Sequence, residues 1–127
     1  MDRFAMNGYP WIVKRVSPQS PMLMDRTGKS TLATTDFSSL TVYISNSIQN
    51  PFFTHVLIHE LGHCALFSYG LIDDIHKVVK PQHWIEAEEW VCNFIADYGL
   101  QIFETAYSVS GDDAWTIVPQ ELDQMIA

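Results

Sequence analysis

The spacing of apolar and polar residues changes period once along this chain, near residue 50. Before that point the signal is strand-like. Pro10 to Val16 is β-branched and aromatic, and Leu40-Thr41-Val42-Tyr43-Ile44-Ser45 alternates apolar with polar. Between them Asp25-Arg26-Thr27-Gly28-Lys29 joins Met22-Leu23-Met24 to Thr31-Leu32-Ala33-Thr34, a hairpin signal with Gly in the loop. After residue 50 the period is helical: Asn50 can cap, Pro51 suits a first turn, and apolar residues recur from Phe52 to Tyr69 until Gly70 supplies a stop. That predicts a helix of about five turns. Leu71 to Lys80 reads as one or two helical turns ended by Pro81. A second long helix follows from about His83 to Ala106, weakest at Gly99, with a buried stripe of Ile85, Val91, Cys92, Ile95, Ala96 and Ile102. Ser110-Gly111-Asp112-Asp113 reads as a turn and Pro119 to Ile126 as a short closing helix. The expected fold class is α+β, with a small antiparallel sheet packed on two successive helices in one domain spanning residues 1–127.

Composition narrows what such a domain does. Apolar residues make up 47% and aromatics 13%, far from the composition of a disordered chain, so a packed core is expected. The net charge of -8, with only 7 Lys and Arg, argues against binding DNA or RNA, whose phosphates must be neutralised by cations. No apolar run approaches the roughly 20 residues of a bilayer span, and the N-terminus lacks a signal-peptide core. A cytoplasmic location is expected. Cys64 and Cys92 form no C-x-x-C pair and read as buried, reduced thiols.

The chemistry concentrates in His59-Glu60-Leu61-Gly62-His63. Residues four apart on a helix share a face, so His59 and His63 present two imidazoles to one point, with Glu60 rotated about 100° away. Two histidines so placed are half of a catalytic zinc site, which takes three protein ligands and keeps one position for water. Zinc lowers the pKa of that water to about 7, so Glu60, not itself a ligand, can accept its proton. An accidental match would rarely fall mid-helix on so apolar an element, where burying unpartnered His and Glu costs several kcal/mol. His55 shares the face of His59 and reads as a supporting group. His76 and His83 lie in less regular sequence and read as solvated, although His83, Tyr69 or Tyr98 are candidates for stabilising an oxyanion. The third ligand must come from elsewhere. Leu66 and Tyr69 stand where a metzincin has Gly and His, which excludes that class and leaves Glu86, Glu88 and Glu89 on the second helix. Periodicity puts both Glu88 and Glu89 among apolar neighbours and does not separate them.

Three segments together, Thr41-Val42-Tyr43-Ile44-Ser45, Val56-Leu57-Ile58-His59-Glu60-Leu61-Gly62-His63 and Glu89-Trp90-Val91-Cys92-Asn93-Phe94-Ile95-Ala96, resemble the ImmA/IrrE family of bacterial and phage metallopeptidases. These are gluzincins, zinc enzymes whose third ligand is a glutamate. The resemblance covers about residues 38–97 and implies Zn2+ held by His59, His63 and Glu89, catalysis by Glu60, and an orienting role for Asn93. It also implies a protein substrate, with a transcriptional repressor as the type. The chain departs from the family at Asp97-Tyr98-Gly99-Leu100, where relatives often continue into a leucine-rich stretch ending in Pro, and it has no helix-turn-helix.

The strand Leu40 to Ser45 is expected at a sheet edge beside the cleft, so that Val42, Tyr43 and Ile44 can pair with an extended peptide. The reading that follows is a zinc endopeptidase acting on a cytoplasmic protein. Its rival is a catalytically latent module that keeps the fold and docks on a host protein without cutting it. A third reading, a metal hydrolase of small amides, shares every site residue.

Overall fold

The computed structural model describes residues 2–126. They divide into two compact units, Met1–Asp97 and Tyr98–Ala127. The first holds a four-stranded sheet and the helix that packs on it. Strands β1 (Asp2–Met6), β2 (Tyr9–Val16), β3 (Ala33–Asp36) and β4 (Thr41–Ser45) lie in the order β1-β2-β4-β3. Helices α1 (Phe52–Ser68), α2 (Leu71–Val78) and α3 (Trp84–Ser110) follow. Among the described residues, no helix is long and apolar enough to cross a membrane.

The fold is α+β as expected, but the sheet is mixed rather than antiparallel. β1–β2 and β3–β4 are antiparallel, whereas β2 and β4 run parallel, with Val13 opposite Val42 and Arg15 opposite Ile44. A parallel pair needs a crossover of a dozen or more residues, and residues 17–40 supply it. β1 has no counterpart in the expectation. Asn7 and Gly8, both left-handed with φ of 48° and 81°, turn the chain into β2. Asn-Gly suits this two-residue turn because both positions tolerate positive φ.

A second correction concerns β4, which lies between β2 and β3 and is no edge. Val42 and Ile44 are wholly buried, packing with Trp11, Val13, Ile48 and Cys64 in the core. The edge beside β4 is β3, whose sequence Ala33-Thr34-Thr35-Asp36 is short and polar, the character that edge strands tolerate. The expected hairpin around Gly28 shrinks to a single bridge between Met24 and Ser30. Pro21 opens a 3-10 turn, Pro21–Leu23, where a strand arm was expected. The loop itself is well tied: the Asp25 carboxylate accepts from the backbone N–H of Thr27 and of Lys29, each at 2.9 Å.

α1 forms as its sequence dictates. Asn50 Oδ1 accepts from the Thr54 N–H at 3.1 Å, and Gly70, at φ 70°, ends the helical run. Its far end is held by the sheet: Trp11 Nε1 donates to Ser68 Oγ, and Asn7 Nδ2 to the Ser68 carbonyl, each at 2.9 Å. Gly62 faces α3, where a Cβ would lie 3.1 Å from Cys92 Sγ. Only glycine lets the two helices approach so closely at this turn.

In the second unit α3 continues without a break through Gly99 to Ser110. Within it Phe103 meets Trp115 edge-on at 4.5 Å between ring centres, and the chain finishes in 3-10 turns at Gly111–Trp115 and Gln120–Met125. The expected turn and closing helix fall on these two segments.

Candidate metal centre

α1 and α3 bring their polar side chains to one cleft of about 570 Å³ bordered by the edge strand β3. His59 and His63, one helical turn apart, turn their Nε2 atoms toward each other at 3.3 Å. Glu89 reaches both from α3: Oε2 lies 3.1 Å from His59 Nε2 and Oε1 3.1 Å from His63 Nε2. His59, Glu60 and His63 also bring donor atoms within 4.8 Å of one another, a grouping that could hold a metal ion.

The spacing suits zinc. Ligand atoms about 2.0 to 2.1 Å from a tetrahedral zinc stand about 3.3 Å from one another, the separation of His59 Nε2 from His63 Nε2, and each of these nitrogens has one oxygen of Glu89 at 3.1 Å. Two imidazoles and one carboxylate are also a donor set that zinc accepts.

Electrostatics fit a set of groups held for a cation. Hydrogen bonds from His59 and His63 hold the Glu89 carboxyl well below the usual carboxylate range. Burial opposes charging of His63, but contacts with Cys92, Glu88 and Glu89 outweigh it and push its pKa up to about 12.

Glu60 is arranged differently. It is buried, and burial raises its pKa against the pull of His63 and His59. Thr35 Oγ1, from β3, donates to Glu60 Oε1 at 2.9 Å, while Oε2 faces the cluster 3.6 Å from His59 Nε2. One oxygen is therefore anchored by Thr35 and the other turns toward His59. Thr35 was not singled out in the sequence, because nothing local in β3 marks which threonine faces α1.

Asn93 borders the cleft but is exposed, and among the described residues no hydrogen bond joins it to His59, His63 or Glu89, so the orienting role expected for it is not seen. Glu88 occupies the supporting position instead, with Oε1 2.7 Å from His63 Nδ1. A histidine that binds metal through one nitrogen is commonly fixed by a carboxylate on the other. Periodicity put both Glu88 and Glu89 among apolar neighbours without separating them; the two nitrogens of one imidazole explain how neighbouring glutamates both meet it.

The remaining histidines stay outside the cluster. His55 lines the cleft and lies 3.4 Å from Asp97. His76 stacks on Trp84 with ring centres 3.8 Å apart, and His83 lies 3.2 Å from Glu86, so Glu86 is turned away from the ligands. Tyr43 borders the cleft, on the sheet face opposite that of Val42 and Ile44. Cys64 and Cys92 are free, fully buried thiols, and burial raises the pKa of each. In comparisons with known proteins the chain matches no family model, no curated protein and no solved structure.

Proposed function

We propose that this chain is a zinc-dependent endopeptidase. The observation that carries the reading is the meeting of His59 Nε2, His63 Nε2 and both Glu89 oxygens at 3.1 to 3.3 Å beside a buried glutamate that turns one oxygen toward them. His59, His63 and Glu89 would hold the metal. Zinc in that position supplies a Lewis acid that polarises a scissile carbonyl and lets water lose its proton near neutral pH.

The rest of the work falls to side chains of this chain. Glu60 Oε2 accepts the proton of the attacking water and returns it to the leaving amine, while Thr35 keeps Oε1 in place. Burial weakens Glu60 as an acid, so its carboxyl holds a proton between these transfers more readily than an exposed one. The free side of β3 offers backbone groups for an extended chain to pair with, and Thr34, Thr35 and Asp36 line the cleft. A peptide added to β3 would run directly past Glu60. This groove favours a protein or peptide over a small amide. The resemblance to the ImmA/IrrE peptidases makes a cytoplasmic transcriptional repressor the first substrate to try.

The test combines metal analysis of the purified protein with incubation against repressor candidates, fragments being read by mass. Wild type should carry one zinc and cut; Glu60→Gln should keep the zinc and lose cutting by at least a hundredfold, the scale of general acid–base catalysis. Full activity in Glu60→Gln on a verified substrate would refute the mechanism.

A further inference from the structure

Glu88 is buried, yet it lies on α3 beside a cleft already lined by Glu60 and Glu89. A third carboxylate there needs a cation of its own. It has one in Arg26, whose Nη1 donates to Glu88 Oε2 at 3.0 Å while Oε1 meets His63 Nδ1 at 2.7 Å. Each oxygen of Glu88 is thus committed to one partner, and the series Arg26–Glu88–His63 runs from the surface to a ligand nitrogen.

Arg26 sits in the Asp25–Lys29 loop, 62 residues from Glu88. That loop is held in shape by its own bonds: Asp25 N–H donates to the Lys29 carbonyl at 2.8 Å, and Gly28 takes a left-handed φ of 85°. Next to it Leu23 is wholly buried, and its carbonyl accepts from the Thr31 N–H at 2.9 Å. The guanidinium carbon lies 5.9 Å from the centre of the Phe37 ring, which limits where the head group can go. Arg26, Phe37 and Glu88 also border a second cavity, of about 450 Å³, on the side of Trp84 and His76. Removing the arginine would open the back of Glu88 to that space and to water.

The geometry points to Arg26 as a positioning residue for the metal centre: by fixing Glu88 it aims His63 Nε2 into the cleft, coupling the loop after the 3-10 turn to a metal ligand. The inference rests on His63 being a ligand, as proposed above, and reaches beyond it by assigning a role to a half-exposed arginine remote in sequence. Sequence spacing carried no sign of this, since the pair closes only when the loop folds over α3.

Zinc affinity of the full chain, measured by competition with a chromophoric chelator, tests it without any substrate. Arg26→Ala should weaken zinc binding about tenfold, at the lower end of the effect of losing a group behind a metal ligand. Arg26→Lys should recover most of that loss, because a lysine can restore the single charged hydrogen bond. In a Glu88→Gln background Arg26→Ala should add less than about twofold, because two residues acting through one contact are not additive. Zinc affinity of Arg26→Ala within twofold of wild type would overturn the inference and leave the metal reading intact. So would a full further tenfold loss in the Glu88→Gln background. A wild-type chain that binds no zinc would overturn both. Should Glu88→Gln fail to fold, Arg26→Ala and Arg26→Lys decide the matter alone.

Discussion

The two sides of the His63 ring are built from adjacent residues to opposite specifications. On the cleft side Glu89, with 42% of its side chain exposed, meets Nε2; on the far side Glu88, with 4% exposed, meets Nδ1. A helix turns about 100° per residue, enough to send neighbouring carboxylates to the two nitrogens of one imidazole. Exposure follows use. A ligand beside substrate must border an open space, whereas a carboxylate that only orients a ring works best where water cannot compete for its hydrogen bonds. The open side has histidines to balance Glu89; the closed side requires Arg26.

This comparison is broken most severely by removing the ring itself. His63→Ala should abolish stoichiometric zinc and lower the melting temperature of zinc-treated protein relative to wild type, since ligand binding stabilises the fold it selects. His59→Ala should do the same. Zinc content and melting equal to wild type in either variant would remove the metal centre from this cleft.

Next come the glutamates separately. Glu89→Ala should lose zinc affinity by more than about a hundredfold, and Glu88→Ala by about ten- to a hundredfold, since it removes the support and not the ligand. Glu86→Ala should match wild type, because Glu86 pairs with His83 in solvent. Chelator competition ranks the three. A larger loss in Glu88→Ala than in Glu89→Ala would exchange their roles.

Much of this site was legible in the sequence, and the missing parts share a cause. His59, Glu60 and His63 were readable because their geometry is local: one helix, one turn, one face. The choice between Glu88 and Glu89 was not, since both lie inward and only the position of α1 tells which nitrogen each meets. Arg26 and Thr35 were invisible for the same reason, as their partners are 62 and 25 residues away. In the fold, the extents of α1 and α3 were read from their period, but the buried stripe expected on α3 is fully buried only at Cys92, with Ile85, Ile95 and Ile102 exposed, and the sheet was misjudged. Val42 and Ile44 fit an edge or a central strand equally by alternation; full burial, a tertiary outcome, separates the two. The Asn7-Gly8 turn was a readable signal that identifies the first hairpin.

Acidity sharpens the comparison without any substitution. In metal-free protein His63 has its pKa raised to about 12, against about 6.5 unfolded, so its contribution to stability is complete below 6.5 and is lost as pH rises toward 12. Glu60, raised by burial, acts in the same direction. Glu88 and Glu89 are depressed, so their contribution is present above about 4.3 and is lost as pH falls through their folded values. Chelator-treated protein should therefore melt at a falling temperature from about pH 6.5 to 9. The zinc-loaded form should resist that fall, because zinc displaces the proton and binds more tightly as pH rises. Parallel melting profiles for the two forms would show that proton and metal do not compete for this imidazole.

The smallest effect is expected at Gly62, which sets the distance between the two sides. A Cβ there would stand 3.1 Å from Cys92 Sγ and 3.4 Å from its Cα, so α3 must yield by a few tenths of an ångström. Cys92 is wholly buried and follows Glu88 and Glu89 on the same helix, so it has no exposed end to swing aside. Overpacking of this kind costs about 1 to 3 kcal/mol, and the gain from replacing a helical glycine by alanine, up to about 1 kcal/mol, offsets part of it. Gly62→Ala should therefore destabilise the metal-free chain by about 1 kcal/mol, read as a lower urea midpoint with unchanged slope. Zinc affinity should fall as well, since the same shift draws both glutamates away from His63. A more stable variant with undiminished zinc affinity would mean that the two helices have slack between them, and that the close approach at Cys92 does not set the spacing of the site.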